Sequence, residues 1–323
     1  MRISNSRPHP CRGFTLIEVM VATVILVLIF VLILQIVNGA SRVATMGQKI
    51  LDADNQARMV FDRMAFDFEA MLKRPDADAI FSKSAPGGND AIFFYSEAPA
   101  SMDPSSSGAL QMQGAVALVG YRVNTANHPF QLERLGKGLT WDGAAGSAPP
   151  GGPVYLNYPN GISSPPALAT TLPGNWPGTF GQPPYTTGTD ADYQVISDQV
   201  YRMDFCFLMS TGSFFTPAPL TSGSTWRSTQ GFKDVAAVVV TIAILDGHSR
   251  QMLPASQFNT IMQNAVTALP PSNTAATPGN AAGIALQWMS VANSGGGLGT
   301  GGPSAAIAGQ IRVYQRYFYL NTN

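Results

Sequence analysis

An unbroken apolar run from Phe14 to Val37, FTLIEVMVATVILVLIFVLILQIV, constrains this chain before anything else. At about 24 residues with one ionisable side chain, it is long enough for a helix across a hydrocarbon core of about 30 Å, and too long for the core of a cleavable signal peptide. No A-x-A site follows it; the break in composition comes before it, at Arg12-Gly13-Phe14. Arg2, Arg7 and Arg12 are the only ionised side chains ahead of the run. Positive charge stays on the cytoplasmic side, so the N-terminus is expected inside and the main body of the chain outside. A plain signal anchor satisfies this hydropathy. Glu18 does not fit it, because an ionised carboxylate in the first turn of a membrane helix is costly unless it is paired. No basic residue of the helix reaches it. A cut between Gly13 and Phe14 would create an α-ammonium on a neighbouring copy or homologous subunit, and Glu18 would then pin the register between packed helices.

Beyond the span, Val43, Met46, Ile50, Ala53, Ala57, Val60 and Met64 recur in steps of three and four, with Phe61, Phe68 and Met71 beside them. That spacing predicts one apolar face of a helix. Asp54 with Arg58, Arg58 with Asp62, and Arg63 with Asp67 stand at i,i+4 and read as a solvated face. Lys73 and Arg74 favour a helix C-terminus and Pro75 cannot continue it. The expectation is one helix from Phe14 to Arg74, about 61 residues and about 90 Å at 1.5 Å per residue, with Gly39 and Gly47 as sites of bending.

The remainder reads as strands. Ala91 to Tyr95, Ala115 to Val123, Pro129 to Leu135, Val195 to Met209, Val235 to Leu245 and Ile311 to Leu320 are rich in Val, Ile, Phe and Tyr. Within the fourth, alternation assigns Tyr201, Met203, Phe205 and Phe207 to a core face, and Arg202, Asp204 and Cys206 to a wetter one. Gly143 to Asp190 and Leu253 to Gly309, full of Gly, Pro, Ser, Thr and Ala, read as long loops. The predicted fold class is therefore α+β: a long N-terminal helix packed on an antiparallel sheet. The expected organisation is a leader at 1–13, a membrane helix at 14–37, an amphipathic continuation at 38–74, and a β-rich head at 75–323 with insertions near 143–190 and 253–309.

Composition excludes more than it assigns. Basic and acidic residues balance at 19 each, and no basic, aromatic-interleaved patch is visible, so no nucleic acid is expected as a partner. Two cysteines, Cys11 and Cys206, rule out a disulfide framework and a multi-cysteine metal site. His128 and His248 lie in no helical HxxxH or HExxH arrangement, and there is no G-x-S-x-G elbow. Gly297-Leu298-Gly299-Thr300-Gly301-Gly302 matches GxGxxG but runs into Pro303 without a βαβ frame, so it reads as a loop. Asp190 and Asp192 offer two carboxylates where calcium needs six to eight oxygens, and read as a solvated turn. Cys206 reads as a small buried hydrophobe, and Tyr314, Tyr317 and Tyr319 as core aromatics of a terminal strand. No cofactor, no metal and no enzymatic site are expected.

Gly13-Phe14-Thr15-Leu16-Ile17-Glu18, after a short basic leader and before an apolar helix, resembles the prepilin processing signal of type IV pilins and type II secretion pseudopilins. The resemblance implies cleavage after Gly13 by a membrane prepilin peptidase, methylation of Phe14, and a role for Glu18 in aligning subunits. It implies partners too: the peptidase, other pilin or pseudopilin subunits, the filament assembly machinery and the inner membrane, with the head in the periplasm. A looser resemblance is to J-type minor pseudopilins. It rests on Tyr121-Arg122-Val123 before Leu132-Glu133-Arg134, on Val200-Tyr201-Arg202-Met203-Asp204-Phe205, and on Val235 to Ile242 ending at Asp246-Gly247. The size, the long loops and Arg312-Val313-Tyr314-Gln315-Arg316-Tyr317 are similar to pilin-like cassette proteins of Verrucomicrobia. A filament subunit, a minor pilin whose loops bind a surface, a substrate or DNA, and an enzyme on a pilin-type anchor are the three expectations to separate.

Overall fold

A computed structural model describes residues 15–73, 79–83, 88–98, 116–125, 130–139, 193–215, 232–253, 256–270, 281–294 and 310–320. The chain divides into two compact units, Met1–Ile50 and Leu51–Asn323. Helix α1 spans Leu16–Glu69 without interruption, passing through Gly39 and Gly47. A would-be Cβ at either glycine meets nothing within 4 Å, so packing does not demand glycine there. Thr15 opens the helix: its hydroxyl and its carbonyl both accept from the Glu18 N–H, at 3.4 and 3.1 Å. The helix ends at Glu69, five residues short of the expected Arg74, because the Glu97 N–H takes the Ala70 carbonyl and the Leu72 N–H turns to the Tyr95 carbonyl. Backbone pairing with a strand replaces the next helical turn.

In the first unit every described residue as far as Met46 is exposed. From Leu16 to Val37 this surface is mostly Leu, Ile, Val, Met and Phe, and α1 is the one helix among the described residues long and apolar enough to cross a membrane. So large a contiguous apolar surface has no stable place in water.

In the second unit the strands are β1 (Ala79–Ser82), β2 (Ala91–Ser96), β3 (Val116–Asn124), β4 (Gln131–Leu139), β5 (Tyr193–Ser197), β6 (Val200–Met209), β7 (Phe214–Phe215), β8 (Val235–Leu245) and β9 (Ile311–Tyr319). Helices α2 (Gly247–Gln251), α3 (Phe258–Ala268) and α4 (Ala281–Ser294) complete it. There are two antiparallel sheets rather than one: a meander β1-β2-β3-β4-β5, and a four-stranded sheet ordered β7-β6-β8-β9. The largest core cluster joins Ala53, Ala57, Val60, Met64 and Phe68 of α1 to Phe94, Val119 and Tyr121 of the first sheet and to Phe205, Val240 and Phe318 of the second. The spacing of three and four that marked the apolar face thus presents it to both sheets. Phe68 stacks on Phe94 at 5.0 Å and tilts against Phe318 at 5.1 Å.

The expected strand Val195 to Met209 is two strands in different sheets, broken at Asp198-Gln199. The expected wet face of β6 is also corrected, since Arg202, Asp204 and Cys206 are buried. Helices α3 and α4, from the stretch read as a loop, cover that face with Ile261, Met262, Val266, Ile284 and Trp288. A register shift between Val200 and Arg202 explains why Tyr201 joins Cys206 in this second core instead of Met203 in the first. Two residues oppose one at a bulge, which resets the alternation. Loop Gly143 to Asp190 lies outside the described residues.

Candidate functional site

Four groups of chemistry-bearing residues are worth building from the chain upward. At the N-terminal signal, Gly13 and Phe14 lie outside the described residues, and Glu18 stands exposed in the first turn of α1. Thr15-Leu16-Ile17-Glu18 has the spacing of a capping box, with Glu18 at the third helical position, where a negative charge also suits the helix dipole.

A second group surrounds Asp67, read from sequence as part of a solvated face and in fact wholly buried. Its carboxylate receives a fork from Arg134, Nε to Oδ2 at 2.6 Å and Nη2 to Oδ1 at 2.8 Å, and a short bond from the Tyr121 hydroxyl. Arg63 stands 3.6 Å away one turn back. Burial and then the Asp67 charge push the Tyr121 hydroxyl well above its ordinary range. Burial works to lower the Arg134 guanidinium, but its hydrogen bonds to Asp67 raise it overall. Tyr121 and Arg134 are cross-strand partners, as are Arg122 and Glu133, and Val123 and Leu132. The residues behind the looser resemblance therefore form one patch of the β3-β4 ladder. The Tyr121–Arg134 pair holds α1 through Asp67, while Arg122 meets Glu133 at 2.9 Å. The rest of the helix's polar side is also used: Tyr314 donates to Asp54 at 2.5 Å and Arg316 to Asp62 at 2.6 Å, tying β9 to α1.

The third group, which sequence reasoning missed, bridges the sheets. β7 pairs only with Phe207 and Leu208 of β6. Farther along β6, backbone groups are met by the segment between β1 and β2. Asn89 bonds the Tyr201 carbonyl and the Met203 N–H, the Asp90 N–H bonds the Met203 carbonyl, the Asp90 carboxylate takes the Phe205 N–H at 2.9 Å, and Lys83 donates to the Phe205 carbonyl at 2.7 Å. Side chains thus do for this strand edge what another strand would do. Lys83 Nζ also lies 2.5 Å from Asp90 Oδ2, 2.7 Å from Asp204 Oδ1 and 4.8 Å from the centre of the Phe205 ring. All of these side chains, and Arg202, are buried. Burial raises the Asp90 carboxyl to about 6; Lys83 opposes that and Asp204 adds to it. Lys83 and Asp90 stand seven residues apart and Asp204 more than a hundred residues further on, a separation that no local pattern reveals.

The fourth group comprises single residues weighed for chemistry. Cys206 is buried, and burial first, with Asp204 and Asp90 adding to it, pushes its thiol up to about 12, which suits a packing residue. His248 falls in α2, whose N-cap Asp246 accepts from the Ser249 N–H. Tyr314 is tied to Asp54, Tyr317 packs against the second core, and Tyr319 is 68% exposed. Among the described residues no group of three His, Cys, Asp or Glu could hold a metal ion. His128, Asp190, Asp192 and the Gly297–Gly302 run lie outside the described residues.

No curated protein matches the chain. Residues 8–34 match the family described as the prokaryotic N-terminal methylation motif, a type IV pilin-like signal, and that family is structural rather than enzymatic. The matched stretch covers Arg12, Gly13, Phe14, Glu18 and all but the last three residues of the apolar run. A type IV pilin-like prepilin-peptidase substrate with a membrane-capable N-terminal helix is the reading this match supports.

Proposed function

We propose that the chain is a minor pseudopilin-like structural subunit. The prepilin peptidase cuts it after Gly13, Phe14 is methylated, and the product enters, or caps the tip of, a type II secretion or type IV pilus-like filament. The observation that carries this reading is the methylation motif at residues 8–34 laid over the first part of a helix that is apolar as far as Val37 and exposed as far as Met46. Residues 1–13 are then the leader, 14–37 the membrane helix, 38–74 its amphipathic continuation and 75–323 the periplasmic head. Partners are the peptidase, other pilin-like subunits and the assembly machinery in the inner membrane.

Glu18 is assigned the pairing role. After the cut, the new α-ammonium of a neighbouring subunit is a cation of the right size for a carboxylate in a membrane helix, and the pairing removes the cost of an isolated charge. Replacement by Gln keeps size and hydrogen bonding and removes the charge. The test is Glu18→Gln in cells that express the peptidase and the other subunits. Expected is normal cleavage with loss of the protein from sheared filaments; unchanged incorporation would refute the assigned role.

A further inference from the structure

We propose that Lys83 and Asp204 condense to an intramolecular amide that joins β1 to β6, with Asp90 carrying the protons. The inference is independent of the filament reading. Its basis is geometric: one amine stands 2.7 Å from Asp204 Oδ1 and 2.5 Å from Asp90 Oδ2, and all three side chains are buried. The Phe205 carbonyl accepts from Nζ at 2.7 Å and fixes the amine, while the Phe205 N–H holds Asp90 Oδ2 at 2.9 Å. The two carboxyls are thus presented to one nitrogen. Water is excluded by Phe81, which packs edge-on against Phe205 at 5.3 Å, Phe207 at 4.9 Å and Phe232 at 5.6 Å.

The step balances without a co-reactant. Nζ passes a proton to Asp90, and its freed lone pair forms a bond to Asp204 Cγ. A second nitrogen proton follows as the tetrahedral centre collapses. Asp90 delivers both to the departing oxygen, the Cγ–O bond breaks and one water leaves. Nothing is oxidised or reduced, and Asp90 ends as it began. Holding reactants at contact distance in fixed orientation replaces a bimolecular encounter and supplies much of the barrier lowering. The driving force follows from burial: a charged pair in a dry core is expensive, and the amide removes one positive and one negative charge while its water escapes. Asp90 and Arg202 remain as the balanced pair. The carboxyl that titrates at about 6 is suited to accept and release a proton near neutrality. Asp204 is therefore the acyl partner and Asp90 the carrier.

The experiment is tryptic peptide mass analysis of the full chain, purified in detergent and denatured before digestion. Expected is a branched species joining the peptides that contain Lys83 and Asp204, lighter than their sum by one water and uncut after Lys83. Lys83→Arg abolishes it. Asp90→Asn, a near-isostere that can no longer shuttle protons, loses it or slows its formation at least tenfold. Full-mass peptides with free cleavage after Lys83 in the wild-type chain would overturn the proposal, as would a bond from Lys83 to Asp90 in place of Asp204.

Discussion

Asp67 is the single side chain on which most depends. It is a carboxylate in the core, held among the described residues by Arg134, Tyr121 and Arg63. Asp67→Ala leaves Arg134 buried without its partner, and breaking such a pair costs about 3–5 kcal/mol. Urea unfolding should show the unfolding free energy fall by that amount, as a lower midpoint at unchanged slope, whereas Arg58→Ala on the exposed side should change it by less than about 0.5 kcal/mol. Asp90 gives a prediction in pH. Its folded value of about 6 lies above the ordinary carboxylate range near 4. The folded state therefore holds a proton that the unfolded state has released. The stabilisation is fully present below about pH 4 and is lost as pH rises through about 6. In the uncondensed cluster Lys83, Asp204 and Arg202 face the group and modulate it; once the amide has formed, Arg202 is the charge that remains beside it. Asp90→Asn should flatten the stability profile between those limits, and a profile unchanged by the substitution would contradict the assignment.

At the level of elements, two close approaches set what β3 and α4 tolerate. A Cβ on Gly120 would fall 2.3 Å from Cδ1 of Phe93, its cross-strand partner, so the Phe93 ring lies where a side chain would be. Gly120→Ala should cost about 1–3 kcal/mol through the displacement of that ring. Trp288 on α4 is wholly buried, donates to the Pro270 carbonyl at 2.7 Å and lies over the Arg202 guanidinium. Trp288→Ala should destabilise by about 3–5 kcal/mol in calorimetry or denaturant. The sequence made some of these elements legible and hid others for physical reasons. Val235 to Leu245 was read with its true bounds because a long Val and Ile run between turn signals has one reading. Helix α1 was legible from its spacing of apolar residues. Helices α3 and α4 were not: Phe258, Ile261, Met262, Ala265 and Val266 do recur at helical spacing, but they lie in a Pro-, Ser- and Thr-rich stretch that reads as loop, and in α4 the small residues blunt the contrast between faces. The two faces of β6 were misjudged because alternation identifies a core face only where the other face meets water, and here α3 and α4 cover it. Its bulge at Tyr201 leaves no mark in composition.

For the molecule as a whole, the N-terminal signal and the buried clusters of the second unit answer different questions. The motif was legible because it is a short linear stretch: Gly13, Phe14 and Glu18 are neighbours in sequence, and the family match spans these positions. The buried centres at Asp67 and Lys83 join residues far apart in the chain, and no local pattern announces them. The central claim is processing. Intact mass and N-terminal sequencing of the membrane-extracted protein, with and without the prepilin peptidase, tests it most directly. The account predicts a chain that begins at methylated Phe14 only when the peptidase is present; a chain that keeps Arg12 and Gly13 in its presence would contradict it.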